Sequence, residues 1–270
     1  MKVFRVIVVF CVISLICFDI GSVDHSQISL RRIKGLGLPE ARVINVGRSL
    51  LEEIGKLSSD TQAYILTDFL IGVGKLEKAL QSARGIREEE SRSKALQSIA
   101  KACGEIGPES LSILKATLQS GEGIEDEDCR SIAFQSIAEA CGKIGPESLS
   151  ILEAVLQSAE GIEDKLARSE VFQAIALAYY KIGEKEQSLS ILESALQSAQ
   201  GIGDEYCCSK ALQSIAKACG EIGPESLSIL ELALQSARGI GDEYYRSEVL
   251  QAIAKAWATI TGNYLSLIHI

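Results

Sequence analysis

The sequence predicts an all-α fold, a solenoid of stacked antiparallel helix pairs, and three observations carry the prediction. The first is a duplication: the 22 residues SKALQSIAKACGEIGPESLSIL at Ser93–Leu114 return unchanged at Ser209–Leu230. The second is a period. Related copies begin at Ser93, Ser131, Ser169, Ser209 and Ser247, at spacings of 38, 38, 40 and 38 residues. A fixed period of roughly 20–50 residues marks a repeat array, in which each unit buries its apolar face only against its neighbours. The third is spacing within a copy. Leu96, Ile99, Ala100, Cys103 and Ile106 follow one another at steps of 3, 1, 3 and 3, which is one face of an α-helix.

Composition agrees with helix and excludes several functions. The chain has 270 residues, four prolines and 5% aromatics; Ala, Leu, Ile, Ser, Gln and Glu are abundant. Its net charge of −9 lacks the basic excess of a nucleic-acid binder, so no nucleic-acid partner is expected. His25 and His269 are its two histidines. Histidine metal sites and triads are therefore not expected.

Residues 1–22 read as a signal peptide. Lys2 and Arg5 precede the apolar run Val6–Phe18, and Gly21-Ser22 offers a small-residue exit. The expectation is a secreted or periplasmic protein. The alternative is an N-terminal membrane anchor, for which the run is short. Residues 23–39 read as a linker with Arg31, Arg32 and Lys34. Residues 40–86 read as a degenerate N-terminal helical repeat, a cap, whose LEKALQSARGI at Leu76–Ile86 matches the second helix of later copies.

Residues 87–264 are the repeat array, four full copies and a partial fifth. In each first helix a small residue recurs at Ala100, Ala138, Ala176, Ala216 and Ala254, which predicts close helix–helix contact. Gly107, Gly145, Gly183 and Gly223 end the first helix. Pro108, Pro146 and Pro224 suit the first position of the second, where a missing N–H costs nothing. Leu111, Leu114 and Leu118 give the second helix its apolar stripe. Gly85, Gly123, Gly161, Gly201 and Gly239, each followed by Ile, predict a left-handed Schellman end. Asp204 and Asp242 are expected N-caps. The pairs Arg92-Ser93, Arg130-Ser131, Arg168-Ser169 and Arg246-Ser247 are expected to tie the loop acids to the next helix.

The cysteines read as packing residues. Cys103, Cys141 and Cys219 share a repeat position with Tyr179 and Trp257, and a position that accepts such different side chains serves packing. Cys129, Cys207 and Cys208 fall at helix starts without zinc spacing. No metal, no cofactor and no catalytic grouping are expected, so the chain is read as not an enzyme. Residues 265–270, LSLIHI, coincide with the translation of a sequencing-transposon end and are read as adapter read-through. The alternative aligns Leu265-Ser266 with Leu227-Ser228, one repeat earlier.

The third copy, Ser169 to Ala199, resembles a tetratricopeptide repeat of the longer subclass. With Ser169 as its first position, Phe172 matches the large fourth position, Ile175 the seventh, Ala176 the small eighth and Tyr179 the aromatic eleventh. Gly183 is the turn glycine. Ser188, Leu192 and Ala195 match positions twenty, twenty-four and twenty-seven. The likeness spans Lys75 to Ile260. The GPES copies are two residues shorter at the turn, Thr117 and Val155 replace a small residue, and the usual late proline is absent. The resemblance implies a right-handed α-α superhelix with a groove that holds peptides. It places Gln97, Gln135, Gln173, Gln213 and Gln251 on that groove. Four residues on stand Lys101, Glu139, Leu177, Lys217 and Lys255. Amides pair with a peptide backbone and lysines with carboxylates. The bland reading is that the glutamines bond across neighbouring copies. A second row, Gln81, Gln119, Gln157, Gln197 and Gln235, shows that repetition alone makes such rows. The expected function is a non-catalytic scaffold for a protein or peptide partner. The alternative is a regulatory array of a larger protein whose effector domain follows the partial copy.

Overall fold

Short polar motifs set the limits of the helices. The computed structural model describes residues 49–50 and 52–268. The signal-peptide and linker readings, residues 40–48, His269 and Ile270 lie outside the described residues. Regular structure among the described residues is helical throughout. No helix among them is long and apolar enough to cross a membrane. The described residues divide into two compact units, the first ending at Ile99 and the second beginning at Ala100.

In the first unit, α1 (Ser59–Gly72) and α2 (Leu76–Arg84) pack as an antiparallel pair. Ser58 caps α1 by accepting from the Thr61 N–H. Asp60, at the start of α1, accepts from the backbone N–H groups of Arg87 and Glu88, each at 3.1 Å. This clip fixes the loop leading into α3 (Glu89–Ile106).

The second unit repeats that arrangement. First helices are α5 (Glu127–Ile144), α7 (Lys165–Ile182), α9 (Glu205–Ile222) and α11 (Glu243–Ile268). Second helices are α4 (Leu111–Glu122), α6 (Leu149–Glu160), α8 (Lys185–Gln200) and α10 (Leu227–Ala237). Each first helix packs on the next, α5 on α7, α7 on α9 and α9 on α11, while α4 packs on α6 and α8 on α10. Asp126, Asp164, Asp204 and Asp242 cap the first helices through their carboxylates, as the sequence predicts for the last two. The loop clip returns as well. Glu127 accepts from the N–H groups of Glu163 and Asp164, and Glu205 from those of Gly241 and Asp242.

The expected left-handed ends of the second helices are not observed. Gly85, Gly123, Gly161 and Gly201 have φ between −78° and −83°, and Gly239 is likewise outside the positive range. Backbone crowding favours glycine at two of these positions: a Cβ would stand 3.3 Å from the Ser82 carbonyl oxygen at Gly85 and 3.3 Å from the Ser236 carbonyl oxygen at Gly239. At Gly201 it would meet the movable end of Lys165, with Nζ at 3.0 Å. The isoleucine that follows is buried at Ile86, Ile124, Ile162 and Ile240, which anchors the loop. Positive φ belongs to the glycines that end first helices, +75° at Gly74 after α1 and between +97° and +104° at Gly107, Gly145, Gly183 and Gly223. At Gly107, Gly145 and Gly223 the chain passes into a 3-10 turn from the proline to Ser110, Ser148 or Ser226, and the α-helix starts only after it. Gly183 adopts the αL form with a Schellman pattern, the Glu184 N–H reaching the Tyr179 carbonyl at 3.0 Å, as the Lys75 N–H after Gly74 reaches the Leu70 carbonyl at 2.8 Å. The Gly183 turn, two residues longer, leaves room for that geometry.

The arginines of the Arg-Ser pairs do more than the expectation gave them. Arg130, Arg168 and Arg246 donate to the carbonyls of Ile124, Ile162 and Ile240 and so hold the loop backbone, while Arg92 and Arg130 also pair with the acids Glu89 and Glu127 at the helix start. Ala138, Ala176 and Ala216 are fully buried. First helices also approach closely at a set of glycines. A Cβ at Gly104 would meet Ala140 Cα at 3.0 Å, one at Gly142 would meet Ala178 Cα at 3.0 Å, and one at Gly220 would meet Ala256 Cα at 3.3 Å. Ile106, expected in the apolar ladder, is half-exposed, while Ile144 and Ile222 are buried. The segments around Ile106 and Ile222 are identical, so the difference comes from what surrounds them.

Candidate binding cleft

The close contact of Gly220 with Ala256 draws α9 and α11 together at one level and leaves a cleft of about 520 Å³ between them. Gln213, Lys217 and Glu221 line it from α9; Glu248, Gln251 and Lys255 line it from α11. Helical geometry places each set on one face, because residues three and four apart are neighbours. Four of the eight sequence-predicted groove residues thus share one cleft. Lys217, Gln251 and Lys255 are exposed.

The glutamine row is divided in its contacts. Gln135 Nε2 donates to Glu170 Oε2 at 3.3 Å, and Gln213 Nε2 donates to Glu248 Oε2 at the same distance. Gln173 Nε2 donates to the Ser214 carbonyl at 3.0 Å. These three amides bond to the next first helix, the bland reading of the row. Gln97, Lys101 and Glu139 are exposed, and Leu177 is half-buried. Burial raises the Glu170 carboxyl above its ordinary range, partly offset by the Gln135 amide.

An aromatic cluster stands at the starts of α9 and α11, and sequence reading missed it. Tyr206 and Tyr245 have ring centroids 5.7 Å apart, Tyr244 and Tyr245 5.6 Å apart, and Lys210 Nζ lies 4.4 Å above the Tyr206 ring. Tyr206 and Tyr244 are largely exposed. The signal was present in the matching loops GDEYCC and GDEYYRS, where tyrosine follows the capping acid.

No group of three His, Cys, Asp or Glu residues able to hold a metal occurs among the described residues. Cys103, Cys141 and Cys219 are buried and free. Burial pushes the Cys141 thiol up to about 12 and the Cys219 thiol up to about 11. Such thiols pack and accept no nucleophilic role at neutral pH. Ser110, Ser148 and Ser226 instead donate to the carbonyls of Cys103, Cys141 and Cys219 at 2.8–2.9 Å, which pins each turn.

No protein-family model matches the chain, and no curated protein matches it.

Proposed function

We propose that the chain is a solenoid of helical-hairpin repeats, similar to the tetratricopeptide class, and a non-catalytic scaffold that binds a peptide or protein partner. The observation that carries this reading is the cleft between α9 and α11, with Gln213, Lys217, Gln251 and Lys255 on its walls. Two lysines set one repeat apart suit carboxylates of a peptide, and the exposed Gln251 amide suits its backbone. The regular period and the packing of each first helix on the next support the solenoid. Export by the segment 1–22 belongs to the same proposal.

The test is selection of a displayed random-peptide library on the whole chain, with the Lys217→Glu/Lys255→Glu variant as counter-selection. Enrichment of carboxylate-bearing sequences that the variant rejects is the expected result. Equal enrichment on both proteins would place binding elsewhere.

A further inference from the structure

The two walls of the cleft run on toward the helix starts. Helical spacing puts Tyr206 and Lys210 on the face of α9 that carries Gln213 and Lys217, and Tyr244 on the face of α11 that carries Glu248, Gln251 and Lys255. The tyrosine cluster therefore stands at one end of the cleft. Glu248 joins the two: it lines the cleft, accepts from the Gln213 amide at 3.3 Å and lies against the Tyr244 hydroxyl. Tyr206 is 45% exposed even with Tyr245 of α11 packed beside it, the ring centroids 5.7 Å apart.

The two ends differ in charge. At the tyrosine end Glu205, Glu243 and Glu248 stand with the capping aspartates, against Lys210 and Arg246. At the other end Lys217 and Lys255 stand against Glu221. The tyrosine end already holds a cation, because Lys210 Nζ lies 4.4 Å from the centroid of the Tyr206 ring. That lysine has a second place to go, since the Glu170 carboxylate of α7 attracts it. An arginine has the advantage over it on the ring. A guanidinium is planar, stacks on aromatic faces and is more weakly hydrated than an ammonium. The excess of carboxylates favours the same ligand.

We infer that the Tyr206–Tyr244–Tyr245 cluster is a subsite for an arginine side chain of the peptide held in the cleft. The inference rests on the reading of the cleft as a peptide site and adds a second anchor to it. Lys217 stands 11 residues after Tyr206, and Lys255 stands 11 residues after Tyr244. At about 1.5 Å per residue that is about 16 Å along either helix. An extended peptide covers this distance in about five residues. The partner is thus a segment with an acid and an arginine about five residues apart. Its carboxylate meets the two lysines, and its guanidinium displaces Lys210 toward Glu170.

The probe is a displayed peptide library, selected on the full chain, with one Asp and one Arg fixed at separations of about two to eight residues and random residues elsewhere. Enrichment should peak at separations of about four to six and vanish on Tyr206→Leu, with the far-UV circular dichroism unchanged. A synthetic peptide of the enriched sequence should lose about tenfold in affinity when its arginine becomes citrulline, which keeps the shape without the charge. Lys210→Met removes the resident cation and should hold the same peptide more tightly; equal or weaker binding overturns the arginine subsite. Enriched peptides that bind alike with arginine and with citrulline also overturn it, and leave the cleft standing. Peptides that bind Lys217→Glu/Lys255→Glu as well as the parent overturn the cleft, and the subsite falls with it. No enrichment at any separation does the same.

Discussion

Replacing Gly142 with alanine sets two large effects against each other. In a helix interior, alanine is normally favoured over glycine by about 1 kcal/mol, since glycine loses more backbone freedom on folding. At Gly142 the new methyl would stand 3.0 Å from Ala178 Cα, 3.3 Å from Ala178 Cβ and 3.4 Å from Lys181 Cδ. Carbon atoms pack best about 3.5–4.0 Å apart. The lysine end swings away readily, but the Ala178 backbone belongs to the buried centre of α7 and yields only if α5 and α7 separate. Overpacking of this kind costs about 1–3 kcal/mol. The net expectation is a loss of about 1 kcal/mol rather than a gain. Gly220→Ala, at 3.3 Å from Ala256 Cα, should lose less. Gly262→Ala has nothing within 4 Å of the added atom and should be neutral or stabilising. The assay is urea unfolding followed by far-UV circular dichroism. Repeat arrays need not unfold in one step, so the informative quantity is the order of midpoints: Gly262→Ala highest, then Gly220→Ala, then Gly142→Ala. A Gly142→Ala midpoint at or above that of the parent would refute the claim that glycine there permits close helix packing.

Other outcomes follow from the same contacts. Ala176→Leu should destabilise by about 1–3 kcal/mol, because Ala176 is fully buried and its carbonyl receives Ser188; an unchanged midpoint would contradict tight packing. A thiol reagent should label Cys129 and Cys207 in the native chain and reach Cys103, Cys141 and Cys219 only on unfolding; rapid native labelling of Cys141 would show its burial to be wrong. The backbone N–H groups of Glu163 and Asp164 hold the Glu127 carboxyl below its ordinary range, and the Cys129 and Cys207 N–H groups do the same for Asp126 and Asp204. A depressed folded value means that the stabilisation is present above about pH 4.5 and fades as pH falls through the lower folded values. The urea midpoint should therefore drop as the solution is acidified below that point, and Glu127→Gln should flatten part of the drop. The double change Gln173→Ala/Gln213→Ala removes two hydrogen bonds to the next first helix and should cost about 1 kcal/mol each at most, with helicity retained.

Much of the fold was legible because the repeat states its own grammar five times. The helix faces, the capping aspartates and the first-helix glycines are local features, written in residue type and spacing. The misreadings concern what a residue meets in space. Gly85 and its counterparts looked like left-handed caps by spelling, yet Gly85 and Gly239 are crowded by a carbonyl of their own helix and Gly201 by the end of Lys165. Gly104, Gly142 and Gly220 looked unremarkable within their helices, and only the neighbouring Ala140, Ala178 and Ala256 give them a role. Ile106 and Ile222 share one local sequence and differ in burial. The same limit applies to the candidate cleft. The glutamine row was visible, but its division into amides engaged by the next helix and amides facing outward depends on Glu170, Ser214 and Glu248 across the gap.

The cleft between α9 and α11 is the centre of the functional account, and titration calorimetry tests it most directly. A carboxylate-bearing peptide selected on the chain should bind the parent protein at one site, more weakly as salt is raised. It should lose about tenfold or more in affinity to Lys217→Glu/Lys255→Glu, with the circular dichroism unchanged. Equal affinity for parent and variant would contradict the cleft as the place where this protein holds its partner.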